Sequence, residues 1–318
     1  MLGRIYQSSY KNVPAVAMES DELTARFLPQ YGGKLASLVS RKTGREFLAQ
    51  DESAQYKVLQ YDGNYVAAEC SGFDDMFPTI DKIYYTQYPW KGVEIPDHGE
   101  VCGLPWECEE KQDCLYMGVN GVRFPYRLEK WISFKGEGVL SIQYRATNLS
   151  SFDMDFLWAA HTMLNIEEGG EIILPYKDKS PATCVFSEDP GFGTRGSRVE
   201  WPTTVRRDGA TQALNITRPI SEKGNCYKYY FDQKIPEGWC AYKYNSDGTI
   251  LKTVFSAETV PFLCIWVNEG TFHNLQNIAM EVCTGTYDRP DLARIYGQNS
   301  VLKAKSTYEW NYDFFVKV

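Results

Sequence analysis

At 318 residues, with 43% hydrophobic and 23% charged residues, the chain has the make-up of a globular protein with a sizeable core. Its net charge of −8 argues against a general nucleic-acid binder, which needs a basic surface, and favours a neutral or cationic ligand over a polyanion. Aromatic content is high, with 22 Tyr, 16 Phe and 8 Trp; such rings suit strands and also pack flat against C–H-rich sugar rings.

The opening residues carry no apolar stretch behind a basic start, and no run of about 18 apolar residues occurs anywhere, so neither a secretory signal nor a membrane span is expected. The nine cysteines are odd in number and dispersed. Reduced, partly buried thiols in a cytoplasmic protein are the expectation, not a disulfide framework. Cys102, Cys108 and Cys114 recur every six residues, which is not a zinc spacing, so no metal site is expected.

The chain reads as short strands broken by Gly and Pro, a rhythm that points to an all-β sandwich. Leu23 to Leu28 is a first strand, Pro29 to Gly33 a turn, Lys34 to Arg41 a second strand, and Thr43 to Glu46 a further turn. Residues 51–90 are less regular and rich in Tyr. They contain Phe73-Asp74-Asp75-Met76-Phe77-Pro78, where two adjacent carboxylates sit between aromatics. Neighbours on a strand point to opposite faces, so at most one of them faces a given site.

Ile95-Pro96-Asp97-His98-Gly99-Glu100-Val101 carries one of only three histidines. Pro96 stiffens the backbone and Gly99 permits a left-handed turn, which puts an imidazole on a rigid loop. Asn120-Gly121, within the apolar run Leu115 to Phe124, is a hairpin signal. Leu128 to Phe134 and Val139 to Thr147 read as paired strands across Lys135-Gly136-Glu137-Gly138, and Asn148 to Ser151 as a turn. His161 follows the apolar run Met154 to Ala160, as on a strand buried on both faces. Residues 167–235 are loop-rich, with a long excursion at Ser187 to Arg198 and Lys228 on a strand. Ser246 to Thr249 is a turn before the strand Ile250 to Phe255, Pro261 to Val267 is a buried strand, and Thr307 to Val318 a terminal one. Glu281 sits inside the apolar run Ile278 to Val282, where a carboxylate needs a partner or a purpose. His273 has no motif around it and is expected on a surface loop. Walker, GxGxxG and GxSxG elements do not occur.

His98, His161 and Glu281 can meet only through the fold. Together they suit proton shuttling at a sugar's anomeric centre, where a base takes the C1 hydroxyl proton while an acid protonates the ring oxygen. Two carboxylates, Asp74 or Asp75 with Glu281, would instead suit glycoside hydrolysis.

In the order of its motifs the chain resembles the aldose 1-epimerases, the galactose mutarotase-like proteins. Phe27-Leu28-Pro29-Gln30-Tyr31-Gly32-Gly33-Lys34-Leu35-Ala36-Ser37-Leu38 is similar to the family's opening strands. Pro96-Asp97-His98-Gly99 resembles its first histidine motif, and Trp158-Ala159-Ala160-His161 its second. Ile278-Ala279-Met280-Glu281 is similar to the glutamate segment, with Trp266 upstream. The resemblance implies a large antiparallel β-sandwich of the supersandwich type, 1–318 as a single domain, acting on a small-molecule sugar without cofactor, nucleic acid or membrane; a homodimer is compatible with it. It implies Glu281 as base, His161 as acid and His98 as the sugar-gripping residue. Asp74, Asp75, Lys34, Trp158, Lys228 and Trp266 are the expected substrate contacts. The better-known members carry an Asn-Arg pair where this chain has Phe73 to Pro78. Carboxylates there would repel a sugar phosphate, unless a cation such as Lys34 offsets them. The other readings are an epimerase or lyase on an oligosaccharide or modified sugar, and a non-catalytic carbohydrate-binding protein on the same fold.

Overall fold

The computed structural model describes residues 3–318 apart from 137, 207, 220 and 222–224. Among these, thirteen strands pair into one antiparallel sheet and eight into a second. This is the large antiparallel β-sandwich expected from the strand rhythm. The two sheets enclose one apolar cluster that draws on residues from Val16 to Phe314. Leu128, Ile132, Leu140 and Ile142 enter it from the smaller sheet; Phe73, Leu164, Leu263 and Ile278 enter it from the larger. Alternation along each strand produces this: Tyr126–Phe134 buries Tyr126, Leu128, Lys130 and Ile132 and leaves the residues between them partly exposed.

The strongest strand signals fall where expected. Leu23–Leu28, Lys34–Ser40 and Ile250–Phe255 are strands, and Tyr126–Phe134 pairs with Val139–Asn148 so that Phe134 meets Leu140. Of the turn between those two, Glu137 lies outside the described residues. Two expectations are corrected. The Asn120-Gly121 signal does not close a two-residue hairpin, because the strand Cys114–Asn120 ends there and the next begins at Tyr126. Pro125, which lacks a backbone donor, sits in this wider connection. The region 167–235 is loop-rich as expected, and within it Ser180–Ser187, Arg198–Trp201 and Cys226–Phe231 extend the large sheet. The apolar run before His161 is broken, with Met154–Phe156 pairing elsewhere and Ala159–Asn165 joining the large sheet.

Five strands at the middle of the large sheet carry the chemistry. In order across the sheet they are Phe73–Met76, Ala159–Asn165, Gln276–Cys283, Phe262–Glu269 and Cys226–Phe231. The loop around His98 packs over them. His98 itself adopts φ +60° and Gly99 φ +80°. The Gly99 amide donates to the Pro96 carbonyl at 3.0 Å and the Glu100 amide to the Phe77 carbonyl at 2.8 Å. Glu100 pins the loop from below: its fully buried carboxylate accepts from the hydroxyls of Tyr61 and Tyr126 and from the amide of Arg123.

Gly99 is the strictest position in that loop. A Cβ there would lie 2.3 Å from the Phe77 carbonyl oxygen, on a backbone already left-handed. Gly99→Ala should therefore lower unfolding stability by roughly 1–3 kcal/mol, the cost of a strained backbone site. Chemical denaturation checks this, and an unchanged midpoint would contradict it.

Candidate active site

Cross-strand pairing lines up a row of side chains on one face of the large sheet. Asp74 pairs with His161, Glu281 with Cys264, and Cys264 with Tyr230. The flanking pairs Ala159–Cys283 and Met163–Ala279 set His161 opposite Glu281. The next row on the same face holds Met163, Ala279, Trp266 and Lys228. Directly opposed residues share a face, so the two rows form a floor. Over this floor lies a cleft of about 220 Å³, with His98, His161, Lys228, Trp266 and Glu281 in its lining. These five sequence-predicted residues are brought together.

The geometry at the floor is tight. His161 Nε2 lies 3.7 Å from Glu281 Oε1. Glu281 Oε2 is held by Lys228 Nζ at 2.8 Å and faces the Cys264 thiol at 3.3 Å. Among the described residues, Oε1 is buried without a hydrogen-bond partner. An unpaired oxygen on a buried carboxylate is costly, and it marks where an incoming donor would bind. Lys228 also contacts Asp288 Oδ1 at 2.8 Å, and the Tyr230 hydroxyl donates to the same oxygen at 2.7 Å. Cys264, Glu281 and Asp288 offer ligand atoms within 4.8 Å of one another, but the Lys228 ammonium lies between the two carboxylates and already supplies the positive charge.

Burial and charge set the protonation of these groups. Burial alone would depress Lys228, but Asp288, with Cys264 and Glu281, overrides it and holds the ammonium well above its ordinary value. Burial lifts Glu281 above the usual carboxylate range; Lys228 opposes this and Asp288 adds to it. Burial also drives His161 well below the usual imidazole value, helped by the positive fields of His98, Lys228 and Lys34. Asp81, at the cleft wall, is raised to about 6 by burial and by the nearby Asp288 carboxylate. Perturbed carboxyl and imidazole groups converging in one cleft are a mark of proton-handling sites.

His98 reaches the cleft from its loop. Its Nδ1 lies 2.9 Å from Asp97 Oδ2, which fixes the ring and leaves Nε2 as its remaining polar atom. The ring stacks on Tyr65 with centroids 3.9 Å apart and planes within 12°.

The remaining predicted contacts are elsewhere. Asp75 and Trp158 sit on the opposite side of the sheet, inside the core. Asp75 Oδ2 pairs with Lys130 Nζ at 2.8 Å and its Oδ1 accepts from Trp158 Nε1 at 2.9 Å; Trp158 packs on Tyr144 and Trp310. The pleat sends Asp75 inward because Asp74 faces the floor, so a substrate role for Asp75 and Trp158 is corrected to a structural one. Asp74 and Lys34 are on the right side but behind the wall. Lys34 Nζ contacts Asp74 Oδ2 at 2.6 Å, and Tyr65 covers the pair. Repulsion of a sugar phosphate by Asp74 and Asp75 therefore loses its basis, since each is neutralised by its own lysine and neither lines the cleft. His273 is on a loop as expected but is tucked in: its Nδ1 lies 3.0 Å from Asp51 Oδ2, and its Nε2 meets the Val66 carbonyl.

Sequence reasoning missed Tyr65, Asp81, Asp288 and Arg195, all of which line the cleft. The excess of tyrosines in 51–90 was the available signal for Tyr65. Arg195 comes from the Ser187 to Arg198 excursion, which does approach the ligand space. All nine cysteines are unpaired thiols, and seven are buried. Among the described residues no helix is long and apolar enough to cross a membrane.

The sequence model of aldose 1-epimerase matches residues 14–184. No curated protein matches the chain. Solved structures align along nearly its whole length. A galactose mutarotase-like protein from Clostridium acetobutylicum has a TM-score of 0.69 at 14% identity, covering 99% of this chain and 98% of that one. The Slr1438 protein from Synechocystis has 0.68 at 16%, covering 98% and 99%. A galactose mutarotase-like protein from Lactobacillus casei has 0.60 at 16%, covering 95% and 100%. At such identities the likeness is one of fold.

The structural reading of Asp75 has a direct check. Lys130→Met leaves a buried carboxylate without its cation and should cost roughly 3–5 kcal/mol of stability. Denaturant titration measures it; a loss below about 1 kcal/mol, within the range of exposed pairs, would refute the reading.

Proposed function

The chain belongs to the aldose 1-epimerase family, and on that premise we propose that it interconverts the α and β anomers of a free aldose by acid–base ring opening, without a cofactor. The observation that carries this is the facing pair at the cleft floor: His161 Nε2 and the unpartnered Glu281 Oε1, 3.7 Å apart. A sugar whose anomeric end lies over this pair offers both the hydroxyl proton and the ring oxygen that the reaction needs.

In ring opening, Glu281 Oε1 takes the proton of the C1 hydroxyl while His161 Nε2 gives its proton to the ring oxygen. The C1–O5 bond breaks as the C1 carbonyl forms, leaving a protonated glutamate and a neutral imidazole. Rotation about C1–C2 turns the carbonyl over. Closure runs both transfers backwards, so each group serves once as acid and once as base. The couple shares one proton: with His161 neutral it sits on Glu281 Oε1, and ring opening proceeds from the form in which it has passed to His161 Nε2. A buried imidazole gives up its proton readily, and burial raises the proton affinity of the glutamate; both shifts favour ring opening. Lys228 holds Oε2 and so presents Oε1 in a fixed direction, while the His98 Nε2 is placed to hold a sugar hydroxyl. Trp266 supplies an apolar wall for the sugar's C–H face. A cleft of about 220 Å³ favours a single sugar ring over a polymer.

Exchange spectroscopy on α and β anomers across a panel of aldoses tests the proposal. At least one sugar should interconvert faster with the protein; rates identical with and without it for every sugar would sink the claim. Within that assay, Glu281→Gln should lower kcat by roughly 10²–10⁴ while sugar-induced shifts persist. His98→Asn should raise KM as well as lower kcat. Full activity in Glu281→Gln would remove this residue from the mechanism.

A further inference from the structure

Behind the cleft wall a line of polar contacts runs into His161 from the side away from the substrate. Lys34 Nζ donates to the carbonyls of Glu69 and Ser71 and to Asp74 Oδ2. The Tyr65 hydroxyl lies 2.9 Å from the same Asp74 oxygen and 3.1 Å from His161 Nδ1. Lys34, Tyr65, Asp74 and His161 are all at most 5% exposed.

We infer that Lys34, Asp74 and Tyr65 set the tautomer of His161, keeping a proton on Nδ1 and leaving Nε2 as the position where a proton comes and goes. Proton counting leads there. An ammonium has donors only, so the Asp74 oxygen it contacts is an acceptor. Tyr65 owns one hydroxyl proton, and that proton goes to Asp74. The phenol oxygen then faces His161 Nδ1 with lone pairs alone. A bare Nδ1 would set two lone pairs against each other at 3.1 Å; a protonated Nδ1 makes a hydrogen bond. In the neutral ring the single proton is therefore on Nδ1, and Nε2 is bare toward Glu281 Oε1.

Tyr65 is thus a positioning residue for both histidines: its hydroxyl fixes the tautomer of His161, and its ring face carries His98. This also gives Asp74 a task consistent with its place behind the wall. Its charge orients the tyrosine proton rather than the sugar. The opposite tautomer would turn an N–H toward the substrate side and leave a bare Nδ1 facing a phenol oxygen whose proton is committed to Asp74, and its Nε2 proton could leave only by forming an imidazolate, so the site could not cycle that proton. That catalytic consequence rests on the anomer-interconverting reading; the tautomer does not.

Long-range proton–nitrogen correlation spectra of the full-length, nitrogen-15-labelled protein test the assignment, and three histidines make the spectrum tractable. His161→Gln identifies the His161 signals by their loss. In the unaltered protein at neutral pH, His161 should show a protonated Nδ1 and a bare Nε2, favoured by about tenfold or more, as one well-made buried hydrogen bond allows. A protonated Nε2 with a bare Nδ1 in those signals would overturn the inference. Tyr65→Phe keeps the ring stacked on His98 but removes the hydroxyl. It should shift His161 toward the other tautomer and lower kcat by about tenfold or more with KM changed by less than about twofold. An unchanged His161 signature in Tyr65→Phe would also overturn it. A protein inactive on every aldose but with the expected tautomer would reject the proposed reaction and leave the assignment standing.

Discussion

Three buried lysines each meet a carboxylate on the central strands of the large sheet: Lys34 with Asp74, Lys130 with Asp75, and Lys228 with Glu281. The rest of the site depends on these pairs. Taking two charges out of water costs several kcal/mol per ion, and the attraction between them offsets this only with good geometry and further hydrogen bonds. A sheet interior built for stability alone would use apolar residues in these places. The pairs are better understood as fixing where particular oxygens point. Asp75 locks the two sheets together through Lys130 and Trp158. Asp74 orients the hydroxyl of Tyr65. Glu281 is gripped by one oxygen so that the other is left free over the cleft.

The pleat of the sheet separates these tasks. Adjacent residues Asp74 and Asp75 part to opposite faces, and the same alternation puts His161 on the cleft side and Ala160 and Thr162 on the core side. Pairing across four strands then brings His161, Glu281 and Lys228 together although they are far apart in sequence. The rigid sandwich supplies the floor, and loops supply what covers it: the strained His98 turn, Tyr65 and the Arg195 excursion. Precise chemistry on strands with recognition on loops follows the usual division between scaffold and variable surface.

Much of this was legible in the sequence, for physical reasons that can be named. Strand alternation gave the sandwich, as in Tyr126–Phe134 and Val139–Asn148. A carboxylate in an apolar run marked Glu281, and Pro and Gly around His98 marked a stiff turn. What the sequence withheld depends on three-dimensional pairing. Nothing local distinguishes Tyr65 from Tyr56 or Tyr61; its role comes from lying between Asp74 and His161. Asp288 looks like a turn residue until Lys228 is seen to bridge it to Glu281. The strand parity rule said that at most one of Asp74 and Asp75 could face the site, but not that a lysine and a tyrosine would stand between Asp74 and the ligand. Several strands between 167 and 235 were hidden because they are three or four residues long, too short for alternation to show, and are set among Gly- and Pro-bearing loops.

The reaction proposed here makes a definite demand on how a sugar lies in the cleft. The most direct measurement is a crystal structure of the Glu281→Gln protein with an aldose that it binds in solution. The account predicts the anomeric hydroxyl within hydrogen-bond distance of residue 281, the ring oxygen within reach of His161 Nε2, and a further hydroxyl on His98. A sugar bound with its anomeric carbon turned away from residues 161 and 281 would contradict it.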